Sequence, residues 1–346
     1  MHKPPFHAGF GNCAFIDIDA NVWVQGANDH NQLGIENQPE LTKPTKVENL
    51  PPVGSVVMGQ HHTLYLTSGG EVFSCGKGFC GQLGHGQNMK ISVPLKIANL
   101  HNIVDIAAGS LHSMFLSESG LVFCSGDNSK GQLGLGILQS EVKEPTEVTG
   151  LPTIKSIFCG NYHSFFIDSD GEVWGAGANN QYQLGLGDCN RRIVPQKIST
   201  LHSQIQWIEC GEHSVFLDVD GIAWVCGDNS RGLLGLANPQ LRPTPTKNEN
   251  LPCLCSIAIS STQTWYLDTD GNVWMSGYSC NEVIMTPKNL MFLPPIKSLS
   301  ARFGRCLLLG FEGNVLELRD SKTTLIGGIP PVYARFSGRT KSARNF

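Results

Sequence analysis

The sequence predicts an all-β fold, a seven-bladed β-propeller, and three observations lead to it. A tight-turn position recurs at Ala20, Gly70, Gly120, Gly171, Gly221, Gly271 and Gly313, in steps of 50, 50, 51, 50, 50 and 42 residues. Each step carries four short strand signals. Glycine (39) and proline (19) supply a sixth of the 346 residues, and no stretch shows the sustained 3.6-residue period of a long helix. Internal repetition of this kind decides an architecture before any local detail does.

Within one unit the elements read in order. Residues 154–159, Ile-Lys-Ser-Ile-Phe-Cys, read as an inner strand. Residues 164–168 and 172–176 are two strands joined by Ser169-Asp170-Gly171, a strong hairpin signal because glycine tolerates the positive φ of such turns. Residues 194–198 form an outer strand. Proline belongs at a sheet edge, and it recurs there as Pro44, Pro94, Pro145, Pro195 and Pro245. A second glycine follows each turn by six residues, at Gly26, Gly76, Gly126, Gly177, Gly227 and Gly277, with Arg319 in the last unit. A large apolar residue follows by three: Trp23, Phe73, Phe123, Trp174, Trp224, Trp274 and Leu316. Eight residues before each turn stand Asn12, His62, His112, His163, His213, Gln263 and Arg305.

The ring is expected to close through its C-terminus. Ile329-Pro330-Pro331-Val332 matches Leu50-Pro51-Pro52-Val53, so residues 332–336 are expected to supply the inner strand of the first blade. The expected organisation is one propeller over residues 1–338 and a short basic tail over 339–346.

The repeated Gly-x-x-His-Ser/Thr runs (Gly59–Thr63, Gly109–Ser113, Gly160–Ser164) and the Gly-Gln-Leu-Gly segments (Gly81–Gly84, Gly131–Gly134, with variants at Tyr182–Gly185 and Gly232–Gly235) resemble the regulator of chromosome condensation family. Units six and seven have drifted, with Asn281-Glu282-Val283-Ile284 in place of Gln-Leu-Gly and a loop expected to be missing from the seventh. The resemblance implies a seven-bladed propeller whose relatives include a nuclear exchange factor for the GTPase Ran that docks on nucleosomes, adaptor modules of ubiquitin ligases, BTB-linked proteins and a plant ultraviolet-B photoreceptor. Fold alone does not choose among these. Units two to six leave no room for the exchange factor's inserted β-wedge, and the N-terminus carries only Lys3. The photoreceptor's clustered Gly-Trp-Arg-His-Thr tryptophans are absent.

Charge narrows the partners. From residue 321 onward stand Lys322, Arg335, Arg339, Lys341 and Arg344 with no acid; the total of −4 therefore leaves −9 on residues 1–320. An acidic body repels a phosphate backbone, so direct DNA binding by the propeller is not expected. The N-terminus has no apolar signal region and no stretch is long enough to span a membrane. Twelve cysteines without an Asn-x-Ser/Thr acceptor point to a reducing compartment, cytoplasm or nucleus.

Several chemical readings fail on their own terms. His62, His112, His163 and His213 recur in separate blades, too far apart for one ion with bonds of about 2 Å, and are expected to be structural, hydrogen-bonding between blades, together with Gly76, Gly126, Gly177 and Gly227. Adjacent strand residues point to opposite faces, so His112 cannot serve Ser113 as a base. Gly76-Lys77-Gly78-Phe79-Cys80-Gly81 spells a dinucleotide fingerprint without the helix whose N-terminus would hold a pyrophosphate. Asp-x-Asp pairs lack the further ligands of a calcium loop. No cofactor, metal or catalytic residue is expected.

One collective feature remains. The hairpin tips share one face and carry twelve of the 29 acids, among them Asp17, Asp19, Asp168, Asp170, Asp218, Asp220, Asp268 and Asp270. These eight are the candidate partner-binding residues. The function expected is a non-catalytic protein-interaction propeller, an adaptor or scaffold in signalling or ubiquitin-related assemblies, with a protein partner that is basic. The alternative is a guanine-nucleotide exchange factor for a small Ran-like GTPase.

Overall fold

The structure is a computed structural model and describes residues 4–279, 281–319 and 322–328. Its strands form seven antiparallel sheets of four, each with its strands side by side in chain order. The sheets are blades around a central channel: blade one spans residues 6–46, two 53–96, three 103–147, four 154–197, five 205–247, six 254–289 and seven 296–325. No helix occurs among the described residues.

Burial explains the strand grammar. In blade four the inner strand Ile154–Cys159 buries Ile154 and residues 157–159 and exposes Lys155. The second strand His163–Asp168 is buried at every position, because blades flank both of its faces. The third, Val173–Gly177, leaves only Trp174 half-exposed, and the outer strand Arg192–Lys197 is mostly solvated. Neighbouring blades share cores: the Phe165 ring meets Phe216 edge-on at 5.3 Å, and Phe158 meets Trp207 at 5.2 Å.

Two motifs turn out to be one contact. The last glycine of each Gly-Gln-Leu-Gly segment packs on the outer-strand proline of the next blade: Gly34 on Pro94, Gly84 on Pro145, Gly134 on Pro195, Gly185 on Pro245 and Gly235 on Pro287. A side chain at Gly134 would press into the Pro195 ring, and its φ of +69° suits glycine.

Closure differs from the expectation. The inner strand of blade one is Phe6–Ala8, paired antiparallel with Asn12–Ile16 through Phe6↔Phe15 and Ala8↔Cys13. It joins blade seven through the Ala8 N–H, which donates to Ser300 Oγ at 3.1 Å, and through buried Phe6, Phe15, Leu307 and Leu309. The C-terminal match to residues 50–59 is a match to an inner strand, but that place is already filled; Pro4 and Pro5 hide the N-terminal strand from a propensity reading. Residues 332–336 and the tail 339–346 lie outside the described residues.

The seventh unit has lost its loop as expected, and the sixth has lost its loop as well. In blade five, 14 residues separate the third strand Ala223–Gly227 from the outer strand Arg242–Lys247. In blade six, Val273–Ser279 runs almost directly into Glu282–Asn289, with Ser279 opposite Glu282. Blade seven does the same, with Arg319 opposite Lys322. The 42-residue step therefore records the shortening of blade six, and the face that carries these loops has five long ones from blades one to five and none from six and seven.

Candidate interaction face around the channel mouth

The recurring histidines build a relay from blade to blade. His62 Nε2 lies 3.0 Å from Ser113 Oγ, His112 3.0 Å from Ser164, His163 3.1 Å from Ser214, and His213 2.8 Å from Thr264 Oγ1. Each hydroxyl donates onward to a loop carbonyl of the histidine's own blade: Ser113 to Gln82, Ser164 to Gln132, Ser214 to Gln183, Thr264 to Leu233. Since the hydroxyl proton is committed, the imidazole must donate from Nε2, which assigns the tautomer. Nδ1 of His62, His112 and His213 is then an unprotonated nitrogen buried without a partner. Burial holds these rings far below the usual histidine range, to about 3 for His62, His112 and His163 and about 4 for His213. They are neutral struts. Gly76, Gly126 and Gly177 face them across the sheet. At Gly126, with φ +115°, a Cβ would collide with the Leu111 carbonyl and His112 Cα; Gly227 has φ +114°.

The relay accounts for the drift of units six and seven. Without a long loop there is no carbonyl to receive the hydroxyl proton. Gln263 and Arg305 stand in place of histidine, and Cys306 and Cys13 stand where the next blade's hydroxyl would be. Arg305 turns instead to Glu317 of its own blade in a buried, two-pronged pair of 2.7 and 3.1 Å.

The hairpin tips require a correction. Asp17, Asp168, Asp218 and Asp268 are no more than 5% exposed and cannot meet a partner. Asp168, Asp218 and Asp268 are the last residues of their second strands, and Asp17 directly follows its own. One oxygen accepts the indole N–H of the tryptophan six residues on, at 2.8 to 3.0 Å, and the other accepts two turn amides. Burial pushes the Asp17 and Asp268 carboxyls up, but the bonds from Trp23 and Trp274 and from the turn outweigh it, and both end below the usual aspartate range. Only Asp19, Asp170, Asp220 and Asp270 stay on the surface.

The opposite face, where inner strands turn into second strands around the channel mouth, is asymmetric. At blades two to five the turns clasp one another: Gln60 N–H donates to Ser110 O, Ser110 N–H to Asn161 O and Asn161 N–H to Gly211 O, at 3.2 to 3.3 Å. The first turn position is glycine in blades one to five (Gly9, Gly59, Gly109, Gly160, Gly211), Ser260 in six and Arg302 in seven. In blades two to four the glycine makes room for the relay: a Cβ at Gly109 would sit inside the His112 ring. Blade seven has no such ring to accommodate, and there a long cationic side chain projects.

Beside it lies an aromatic ledge that sequence reasoning missed. Phe303 meets Phe10 edge-on at 5.6 Å, Phe10 meets His61 at 5.4 Å, and His61 meets His30 at 4.5 Å. The Arg302 guanidinium sits 5.3 Å over the Phe303 ring, and Lys77 Nζ 5.7 Å over Phe79. Phe10 and Phe79 are 44% and 52% exposed. Burial, with smaller repulsion from His30 and Lys77, lowers His61 to about 4, so the ledge is uncharged apart from its flanking cations. The ledge borders the sector that blades six and seven leave without loops. The available signal was Arg302 itself, at a position where five units have glycine.

A family model for the RCC1-like domain matches residues 6–291. Protein pim1 of Schizosaccharomyces pombe is 31% identical over 209 residues, covering 54% of this chain and 29% of that protein. The human X-linked retinitis pigmentosa GTPase regulator is 34% identical over 212 residues, covering 59% of this chain and 16% of that protein. The chain thus spans less than a third of the length of either relative. Among solved structures, Prp20p from Saccharomyces cerevisiae, described with its binding properties to Gsp1p and histones, superposes with a TM-score of 0.77 at 25% identity, over 87% of this chain and 80% of that one. Human WBSCR16 gives 0.77 at 21% identity over 88% and 86%, a likeness of fold. With the model spanning six complete blades, the chain belongs to the RCC1-like domain family.

Proposed function

We propose that this chain is a non-catalytic protein-interaction propeller that captures its partner at the channel mouth, over the loop-free sector of blades six and seven. The observation that carries this is the asymmetry of the mouth: a hydrogen-bonded turn ring under long loops at blades two to five, and an aromatic ledge of exposed Phe10 with half-buried Phe303 and His61 and flanking cations at the border of the loop-free sector. Exposed aromatics beside a cation are the composition of interface hot spots. The acidic rim of Asp19, Asp170, Asp220 and Asp270 is the rival surface. A Phe10→Ser/Phe303→Ser variant and an Asp170→Lys/Asp220→Lys/Asp270→Lys variant, each checked for an unchanged melting curve, are compared with wild type in affinity capture and mass spectrometry. The ledge variant should lose its partners about tenfold or more, and the rim variant should keep them. The reverse result assigns docking to the acidic face.

The likeness to Prp20p favours a second reading, exchange on a small GTPase. The long loops of blades one, three, four and five are tied down by Asn28, Asn128, Asn179 and Asn229, each bonding across its loop, so none serves as a wedge into a nucleotide pocket. Release of fluorescent nucleotide from Ran should therefore proceed at its background rate with micromolar propeller present. Clear acceleration would make exchange the primary activity.

A further inference from the structure

Arg302 is unlike every other residue around the mouth. Its Nη2 nitrogen is cut off from solvent and has no hydrogen-bond partner. It lines the central channel, a cavity of about 320 Å³ walled by the inner strands, and shares it with Ser260, Ser300, Trp207 and Glu209. A guanidinium nitrogen sealed from solvent without a hydrogen bond is costly, and the Phe303 ring compensates only in part. Such a group is retained at a cost when something else completes it.

From this we infer that the channel mouth is a carboxylate-recognition site, in which Arg302 receives an acidic side chain of the docked protein segment while the ledge of Phe303 and Phe10 receives an apolar side chain next to it. The guanidinium presents parallel N–H donors that match a carboxylate in a two-pronged geometry. The channel also selects for charge. Glu209 lies close enough to act on Arg302 electrostatically, with its own Oε1 accepting the Trp207 indole N–H at 3.0 Å. Lys297 and Glu212 also line the channel, so Arg302 and Lys297 stand against Glu209 and Glu212, and one further carboxylate disturbs that balance half as much as a phosphate dianion would. The uncovered sector of blades six and seven gives a chain segment its route to the mouth, and the small side chains at the other six turn positions keep that mouth open. This inference rests on the channel mouth being the docking face.

The probe is a fluorescein-labelled, C-terminally amidated peptide with a Phe-Glu-Phe centre in a Gly/Ser frame, read by fluorescence anisotropy. Three companions accompany it: Gln in place of Glu, phosphoserine in place of Glu, and a Phe-Gly peptide whose only carboxylate is its free C-terminus. The Glu peptide should bind about tenfold more tightly than the Gln peptide, with the difference shrinking at high salt. That advantage should vanish in Arg302→Gln and survive in part in Arg302→Lys. Glu209→Gln, which removes the competing carboxylate, should raise affinity for the Glu peptide several-fold. Equal binding of Glu and Gln peptides overturns the proposal, as does an advantage that persists in Arg302→Gln or a phosphoserine peptide that binds best. Preference for the free C-terminus over the Glu side chain overturns the side-chain assignment. Should Arg302→Gln fail to fold, Glu209→Gln decides alone: no gain in affinity is a refutation. Loss of partner capture in the ledge variant combined with no Glu/Gln discrimination removes the carboxylate site and leaves the docking face standing.

Discussion

Acidification from pH 7.5 to 5 should unfold this protein through its histidines, with a loss of stability steep enough to consume most of what a domain of this kind has. The unfolded chain binds a proton at each histidine near the usual 6.5, whereas His62, His112 and His163 stay neutral in the fold down to about 3 and His213 to about 4. The folded values are depressed, so below 6.5 the unfolded state holds more protons and stability falls with pH; it is fully present above 6.5 and gone once pH passes the folded values. Four protons at roughly 1.4 kcal/mol per pH unit each give a limiting slope of about 5 kcal/mol per unit, against a total stability of about 5–15 kcal/mol. The cause is structural as well as electrostatic: an imidazolium would add an N–H at Nδ1, where His62, His112 and His213 have no acceptor. Urea unfolding at a series of pH values measures the slope. His163→Gln, which copies what blade six carries at Gln263, should lower it by about one proton, so the variant loses stability at pH 7.5 and regains parity as the pH falls. A flat profile between pH 7.5 and 5 would show that the rings are protonated in the fold and that the relay is drawn wrongly.

The repeat makes most of the architecture legible, because a blade is a local object: an Asp-Gly hairpin, an apolar inner strand and a proline at the edge are all near-neighbour patterns. What joins blades is less legible, since the partners lie 31–32 or 51–52 residues apart. His112 was readable as structural, but its acceptor is Ser164 of the next unit, not the adjacent Ser113. The hairpin aspartates show how a shift of two positions misleads. In Asp168-Ser169-Asp170 the first carboxylate ends a strand and is buried, while the second rides on the turn. A signal for this exists inside the chain. Asp17, Asp168, Asp218 and Asp268 each precede a tryptophan by six residues, whereas Thr67 and Ser117 precede Phe73 and Phe123, which have no indole N–H to bind. The aspartate follows the tryptophan, as it must if its task is to accept that hydrogen. The ledge at the mouth had no comparable signal, because Phe10, His61 and Phe303 come from three blades and meet only when the ring closes between seven and one.

Blade seven, which lacks the relay, should prove the most sensitive to a single charge. Arg305 and Glu317 are 6% and 8% exposed and bond through two contacts of 2.7 and 3.1 Å. Their geometry is good, yet their desolvation is paid in full and Arg305 Nη1 still lacks a partner. Glu317→Ala leaves a guanidinium buried without its counter-charge and should cost about 3–5 kcal/mol, read as a lower urea midpoint at unchanged slope. Arg305→Met alone should cost a similar amount, since it strands the carboxylate. The double variant Arg305→Met/Glu317→Leu removes both charges and keeps the volume, and it should return to within about 2 kcal/mol of wild type. A double variant as damaged as the singles would mean that the pair contributes net attraction rather than mere compensation. In the expected case the pair is an answer to topology: a blade without a loop carbonyl cannot end a histidine relay, so it closes on itself. Closing on itself is also what leaves the Arg302 position free of an overlying ring and its side chain free to enter the channel. The double variant should accordingly retain the preference for the Glu peptide, because nothing in the apolar pair reaches the mouth. Loss of that preference in a stable double variant would show that Arg305 positions Arg302, and that blade seven holds its two arginines as one unit.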